Sequence, residues 1–398
     1  MLLRTLQGAG VVALGTAVGQ GIVLCATPYL ARIYSPAEFG GLALISTVSN
    51  IAMAVACLRY DLALPSAEPR DARALFKLSA ICATGVALAT MLLLVAFDWL
   101  SARPPPAPLS VPLVIGACIV FAGLQQASIG YALRRRSYPR MAAVRLSQGA
   151  AFSAMAAMPA IGLVWAHALS FLVALLPTLR ATNEDAGDAG RSLAAAAREH
   201  RQFPLQSLPG AVLDVVGYSV CIWLLTAAYG SSEAGQYAQV QRIVGAPLML
   251  VSISIGQVML RQTADFVHQP QQMRRFIARV LQWLVLLAVA MLTVIALVGE
   301  PALRGLLGSK WRVNTMFVMP IALAVFVRAC VSPLSSVLIT LRRFDLALRW
   351  QSAYFVSACT VLAFSAFHFD LEHFVFIYAA HECIFYGAYL ALITRAIR

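Results

Sequence analysis

About twelve apolar runs follow one another through this chain, each near the roughly 20 residues that a helix needs to cross a hydrocarbon core, with only short polar turns between them. That spacing leaves little choice of fold. In hydrocarbon every backbone N–H and C=O must be satisfied internally, so only helices and closed barrels can span. The period-two alternation of a barrel strand is absent. Nor can the runs be hidden in a soluble core, because 60% of the 398 residues are hydrophobic and only 12% are charged. The expected fold is all-α: a polytopic membrane protein of about twelve transmembrane helices, in two parallel six-helix repeats around a central cavity.

The runs fall at approximately 8–31, 38–63, 74–97, 112–133, 141–160 and 162–180, then at 205–228, 234–260, 276–298, 315–340, 348–367 and 372–394. Between the sets lies the most polar stretch, with NEDAGDAG followed by SLAAAAREHRQFP. We divide the chain into an N-terminal bundle at 1–180, a linker at 181–203 with a short surface helix, and a C-terminal bundle at 204–398. Two sequence echoes support the repeat. Tyr34, Glu38, Gly40 and Ala43 of ARIYSPAEFGGLAL match Tyr229, Glu233, Gly235 and Ala238 of TAAYGSSEAGQYAQ at one constant offset. Leu-Arg-Arg also recurs at the fourth-to-fifth junction of each half, at 133–135 and 341–343. Parallel repeats of this kind place a substrate near the bilayer midplane.

The net charge of +13 sits in short clusters between the runs, which follows the positive-inside rule rather than a nucleic-acid face. Arg134-Arg135-Arg136, Arg198, Arg274, Arg343 and Arg395 share one side, and Arg32, Arg103, Arg304, Lys310 and Arg312 share the other. Both termini and the linker are therefore expected in the cytoplasm. The N-terminal run continues past Pro28 without a small-residue cleavage site, so it is read as the first span. Eight scattered cysteines have neither metal nor redox spacing and read as small buried hydrophobes. No metal site and no cofactor are expected, and no nucleophile–base or nucleotide-binding motif points to an enzyme.

Charged groups at membrane depth are costly and are functional candidates by default. Arg242 is expected about two turns into its helix, and Arg328 in mid-span. Arg59 and Asp61 fall near the end of the second helix, where they either serve the substrate or simply mark the exit from the membrane. Asp214 is either a salt-bridge partner or a direct participant. His381 and Glu382 form either an ion-coupling relay or a structural pair. Arginines facing a cavity favour phosphate or pyrophosphate anions.

RIYSPAEFG, LRYDLALP, LRRRSYPRMAAVRLSQ, GQYAQVQRIVGAPLML and VSPLSS followed by LRRFDLALRWQ together resemble the polysaccharide biosynthesis family of oligosaccharide flippases. The superfamily also holds multidrug extruders and the peptidoglycan-precursor flippase. The resemblance covers essentially the whole chain. It implies alternating-access transport of an undecaprenyl-pyrophosphate-linked oligosaccharide across the bacterial inner membrane, for lipopolysaccharide O-antigen, capsule or exopolysaccharide. It also implies an ion gradient as the drive, and membrane lipids, a polysaccharide polymerase and a chain-length regulator as partners. Arg59, Arg242 and Arg134–Arg136 match basic positions of the family pattern, Arg328 matches one loosely, and Asp61 stands where glutamate is more usual. A drug extruder of the same superfamily and a membrane-embedded polymerase are the alternatives.

Overall fold

The computed structural model describes residues 2–100, 110–178, 192–266, 269–341 and 343–397, and among these all regular structure is helical. The helices are α1 (Leu2–Ile33), α2 (Pro36–Ala56), α3 (Pro69–Leu100), α4 (Ser110–Arg134), α5 (Tyr138–Ala156), α6 (Gly162–Val173), α7 (Leu193–Glu199), α8 (Leu208–Tyr229), α9 (Ser231–Asp265), α10 (Pro270–Leu307), α11 (Thr315–Val331), α12 (Ser336–Thr340), α13 (Phe344–Ser357), α14 (Ala363–His368) and α15 (Leu371–Ala396). Each expected span meets a helix or a broken pair. Among the described residues, eight spans are long and apolar enough to cross a membrane: α1 to α4, α8, α10, the continuous stretch from α11 into α12, and α15. Of the other four runs, α5 carries Arg140 and Arg145, α6 is short, and a π-helical segment, Ala358–Leu362, separates α13 from α14, while the run at 234–260 lies within the long helix α9. The short linker helix is present as α7, with Ser192 Oγ accepting from the N–H of Ala195 at 3.3 Å. The rest of the expected linker before Ser192 lies outside the described residues.

The chain forms two compact units. One comprises Met1–Ala26 with Leu44–Val216, the other Thr27–Ala43 with Gly217–Arg398.

In the first unit α1 and α5 touch backbone to backbone. A Cβ on Gly15 would overlap Ala142, and one on Gly19 would strike the Arg145 carbonyl; Gly149 sits as tightly on Gly19. This small-residue spacing lets membrane helices approach without a hydrophobic driving force between them. Beyond α2, the turn Cys57–Ser66 packs with α3, α4 and α7 around Tyr60, Leu64, Leu75, Ala127, Tyr131 and Ala196. The Tyr60 hydroxyl donates to the Ala197 carbonyl at 3.4 Å, which ties the linker helix to this core.

The second unit contains the two echoed segments, and they face each other. Ser35 and Glu38 close a capping box at the start of α2: the Ser35 N–H donates to Glu38 Oε2 at 2.8 Å, and the Glu38 N–H to Ser35 Oγ at 3.3 Å. In the second copy Gly230, at φ 90°, opens α9, and Glu233 pairs with Arg312 at 3.7 Å. A Cβ on Gly40 would overlap the Ser231 carbonyl, and one on Gly235 the Pro36 carbonyl. Ser231 and Pro36 are themselves repeat equivalents, so the contact is reciprocal, as in a two-fold interface. Trp311 closes over it, donating from Nε1 to the Ala31 carbonyl at 3.1 Å with its ring edge-on to Phe39.

Candidate functional site

Helix α11 ends one turn after Arg328. Ser332-Pro333 then tightens the chain into a 3₁₀ turn, Ser332–Ser335, before α12. Arg328 lies near the middle of the candidate span Thr315–Leu338, just before this 3₁₀ turn. The reason for the turn is local: Pro333 cannot donate the hydrogen bond that a continuing helix needs.

From this break the guanidinium reaches α15. Its Nη2 lies 3.2 Å from Glu382 Oε2 and donates to the Tyr354 hydroxyl at 2.7 Å; that hydroxyl in turn donates to Glu382 Oε1 at 2.6 Å. Tyr354 thus bridges acid and base. His381 sits beside them, with Nδ1 3.8 Å from Glu382 Oε1 and Nε2 3.1 Å from Ser357 Oγ. The rings of Tyr218, Tyr386 and Tyr354 surround the guanidinium, with centroids 4.9, 5.5 and 6.0 Å away. Trp350 stacks on Tyr389 at 4.0 Å and on Tyr354 at 5.4 Å, which fixes the bridging tyrosine. Losing one partner of a pair buried this deeply costs about 3–5 kcal/mol, because the other charge is left uncompensated.

Folding therefore joins three of the residues singled out in the sequence, Arg328, His381 and Glu382, into one cluster. Tyr218, Tyr354 and Tyr386 are the members sequence reasoning missed. A tyrosine inside an apolar run was the available signal, since a buried hydroxyl needs a partner.

Arg59 and Asp61 lie together in the first unit, but not on the second helix, which the sequence carried on to residue 63. Helix α2 stops at Ala56, and Leu58 and Arg59 take left-handed conformations at φ 46° and 64°. Such backbone persists in non-glycine residues only where the surroundings over-determine it. Here the Cys57 thiol donates to the Gly123 carbonyl at 3.3 Å, and Gly130 has no room for a Cβ against the Asp61 carbonyl. Burial pushes the Asp61 carboxyl above its ordinary value, against the opposing pull of Arg59. Among the described residues, Arg59 Nε and Asp61 Oδ1 are buried and have no hydrogen-bond partner.

Arg242 is the twelfth residue of α9, so it lies about three turns in rather than two, because the helix begins as early as Ser231. Asp214 is about two turns into α8, in the first unit. Asp71, Glu199 and His200, a trio that sequence spacing did not reveal, bring metal-ligating atoms within 4.8 Å of one another where α7 meets α3.

The fold defines the class. The chain is similar to an inward-facing multidrug resistance MATE family transporter of the MOP superfamily: TM-score 0.61, 10% identity, 96% of this chain and 94% of that one covered. A mutant of the Vibrio cholerae MATE transporter VcmN gives 0.63 at 11% identity, covering 99% and 96%. A MOP superfamily transporter from Pyrococcus furiosus, whose reversed binding-pocket polarity suggests a different function, gives 0.57 at 10%, covering 98% and 95%. At these identities the likeness is one of fold: a polytopic, MATE-like helical membrane protein. Comparison with curated protein sequences gives no match. The family is given by the sequence itself: residues 29–316 match the polysaccharide biosynthesis protein family, and the chain belongs to it.

Proposed function

We propose that this protein is a flippase that moves undecaprenyl-pyrophosphate-linked oligosaccharide from the cytoplasmic to the periplasmic leaflet of the bacterial inner membrane, by alternating access. The product serves O-antigen, capsule or exopolysaccharide synthesis. The bundles at 1–180 and 204–398 act as the moving halves, and both termini face the cytoplasm. The observation that carries the reading is the polysaccharide biosynthesis family match, spread over most of a chain that has a transporter fold. A family engaged in making polysaccharide, on a fold used for export, calls for a lipid-linked sugar as cargo.

Charge supports the pyrophosphate. Arg242 in α9 and Arg328 at the α11 break put guanidinium groups inside the membrane region, where a phosphate-type anion offsets their desolvation. Arg59, with Asp61 beside it, adds a cation with an unsatisfied Nε in the first unit. Asp214 and the His381–Glu382 pair are the remaining intramembrane candidates for the substrate and for ion coupling. No cofactor is invoked.

The second reading is a drug extruder, favoured by the multidrug transporters among the structural neighbours. The fold alone does not choose between them, since pocket polarity varies within it. Proteoliposomes carrying a fluorescent undecaprenyl-pyrophosphate oligosaccharide decide the matter. Wild type is expected to move the lipid, and Arg242→Ala at equal protein level to abolish movement. A wild type that moves no glycolipid but expels a small cationic dye establishes the extruder instead.

A further inference from the structure

Arg328 and Glu382 are an asymmetric pair. The carboxylate is fully enclosed, whereas the arginine side chain keeps 21% exposure; Arg328 Nε, Glu382 Oε2 and His381 Nδ1 are all buried without a hydrogen-bond partner among the described residues. The Tyr218 ring, 4.9 Å from the guanidinium, is itself 46% exposed. Groups on three helices other than its own surround the acid. Arg328 comes from α11, Tyr354 from α13, and Tyr218 and Cys221 from α8, while His381 and Tyr378 belong to α15 with Glu382 itself. Arg328 is the one permanent cation of this set.

A second anion on Arg328 would leave two negative charges sharing one cation in a low-dielectric enclosure, and like charges so placed are not both kept. Glu382 is the group that gives way. A protonated carboxyl keeps its place as a hydrogen-bonding group beside Tyr354, whereas an abandoned carboxylate has nowhere to find water. His381 lies beside the acid, with Nδ1 3.8 Å from Glu382 Oε1 and Nε2 3.1 Å from Ser357 Oγ.

We infer that Arg328 is a proton-linked anion site: a phosphate-type anion binds the guanidinium as one proton joins Glu382. One proton is taken from solvent to a carboxylate oxygen, the anion makes only hydrogen bonds, and no other bond changes. The enclosure keeps its net charge apart from what the anion brings beyond one unit. The inference rests on the flippase reading and specifies how its substrate's pyrophosphate is held.

The test uses the full chain purified in detergent, with a short-chain dialkyl pyrophosphate diester as probe. A diester lacks the second phosphate ionisation near neutrality, so any proton exchanged belongs to the protein. Titration calorimetry in buffers of different ionisation enthalpy is expected to report about one proton taken up per ligand bound, with affinity rising up to about tenfold per pH unit as pH falls. Glu382→Gln, a mimic of the protonated acid, should bind with no proton uptake and no pH dependence. Arg328→Gln should bind at least about tenfold more weakly. Because a lone buried carboxylate can unfold the chain, the paired variant Arg328→Met, Glu382→Gln removes both charges and should fold yet not bind. Absent binding to wild type, binding without proton uptake, uptake that survives Glu382→Gln, or undiminished binding to the paired variant overturns the inference. If lipid is flipped but no proton is linked to the diester, this inference falls and the flippase reading stands. If the diester binds with its proton and no lipid moves, the reverse holds.

Discussion

At the scale of single residues, the most consequential atom of the cluster is the Tyr354 hydroxyl, which accepts from Arg328 and donates to Glu382. Hydrogen bonds to charged groups contribute about 1.5–3 kcal/mol each, and deleting one partner strands the others. Tyr354→Phe keeps the ring stack with Trp350 and removes only the bridge, so it should destabilise the protein by about 1.5–3 kcal/mol, read as a lowered midpoint of thermal unfolding in detergent. An unchanged midpoint would mean that the bridge is not part of what holds α11, α13 and α15 together. The sequence marked Arg328, His381 and Glu382 as costly inside a membrane, and that cost alone identified them. It did not mark Tyr354, since a tyrosine in an apolar run carries no sign of which charge it will meet. Arg59 was legible as a charge but not as a left-handed turn residue. Nothing in LRYD resembles the glycine or asparagine that usually signals that conformation.

At the scale of elements, the reciprocal contact between the α2 and α9 starts depends on two glycines with no side chain to spare. Gly40→Ala and Gly235→Ala each drive a methyl into a backbone carbonyl that cannot rotate away. Each is expected to cost about 1–3 kcal/mol. Gly41→Ala, one residue along, meets nothing within 4 Å and should be neutral or slightly stabilising through better helix propensity. Comparative thermal unfolding of the three variants checks this, and equal behaviour of Gly40→Ala and Gly41→Ala would contradict the packing. The echo of Tyr, Glu, Gly and Ala announced a repeat in the sequence. That the repeated glycines press on each other was not legible, because a glycine spacing is the same whether its partner is the other copy or any third helix. The break after Arg328 had a signal in Ser332-Pro333. The π-helical segment between α13 and α14 had none.

At the scale of the whole molecule, the topology proposed here predicts that a fluorescent protein fused after Arg398 glows in the cytoplasm, whereas alkaline phosphatase at that site stays inactive. Active phosphatase would reverse the orientation drawn from the arginine clusters. The linear order of the chain does not coincide with the grouping of its residues, since Thr27–Ala43 belongs with the second unit although it precedes nearly all of the first. The sequence by itself determined that this is an all-helical, multi-pass membrane protein, because hydrocarbon leaves an apolar segment no other way to satisfy its backbone. It also determined the polysaccharide biosynthesis family and which charges would be expensive. Only the tertiary structure decided that Arg328 is bound to Glu382, directly and through Tyr354, with the two 54 positions apart in the chain. The physical reason is that an apolar run fixes its own backbone pairing locally. The partner of a buried charge is instead fixed by which helix faces meet, and helix faces in lipid are matched by close packing and hydrogen bonds that sequence spacing does not encode.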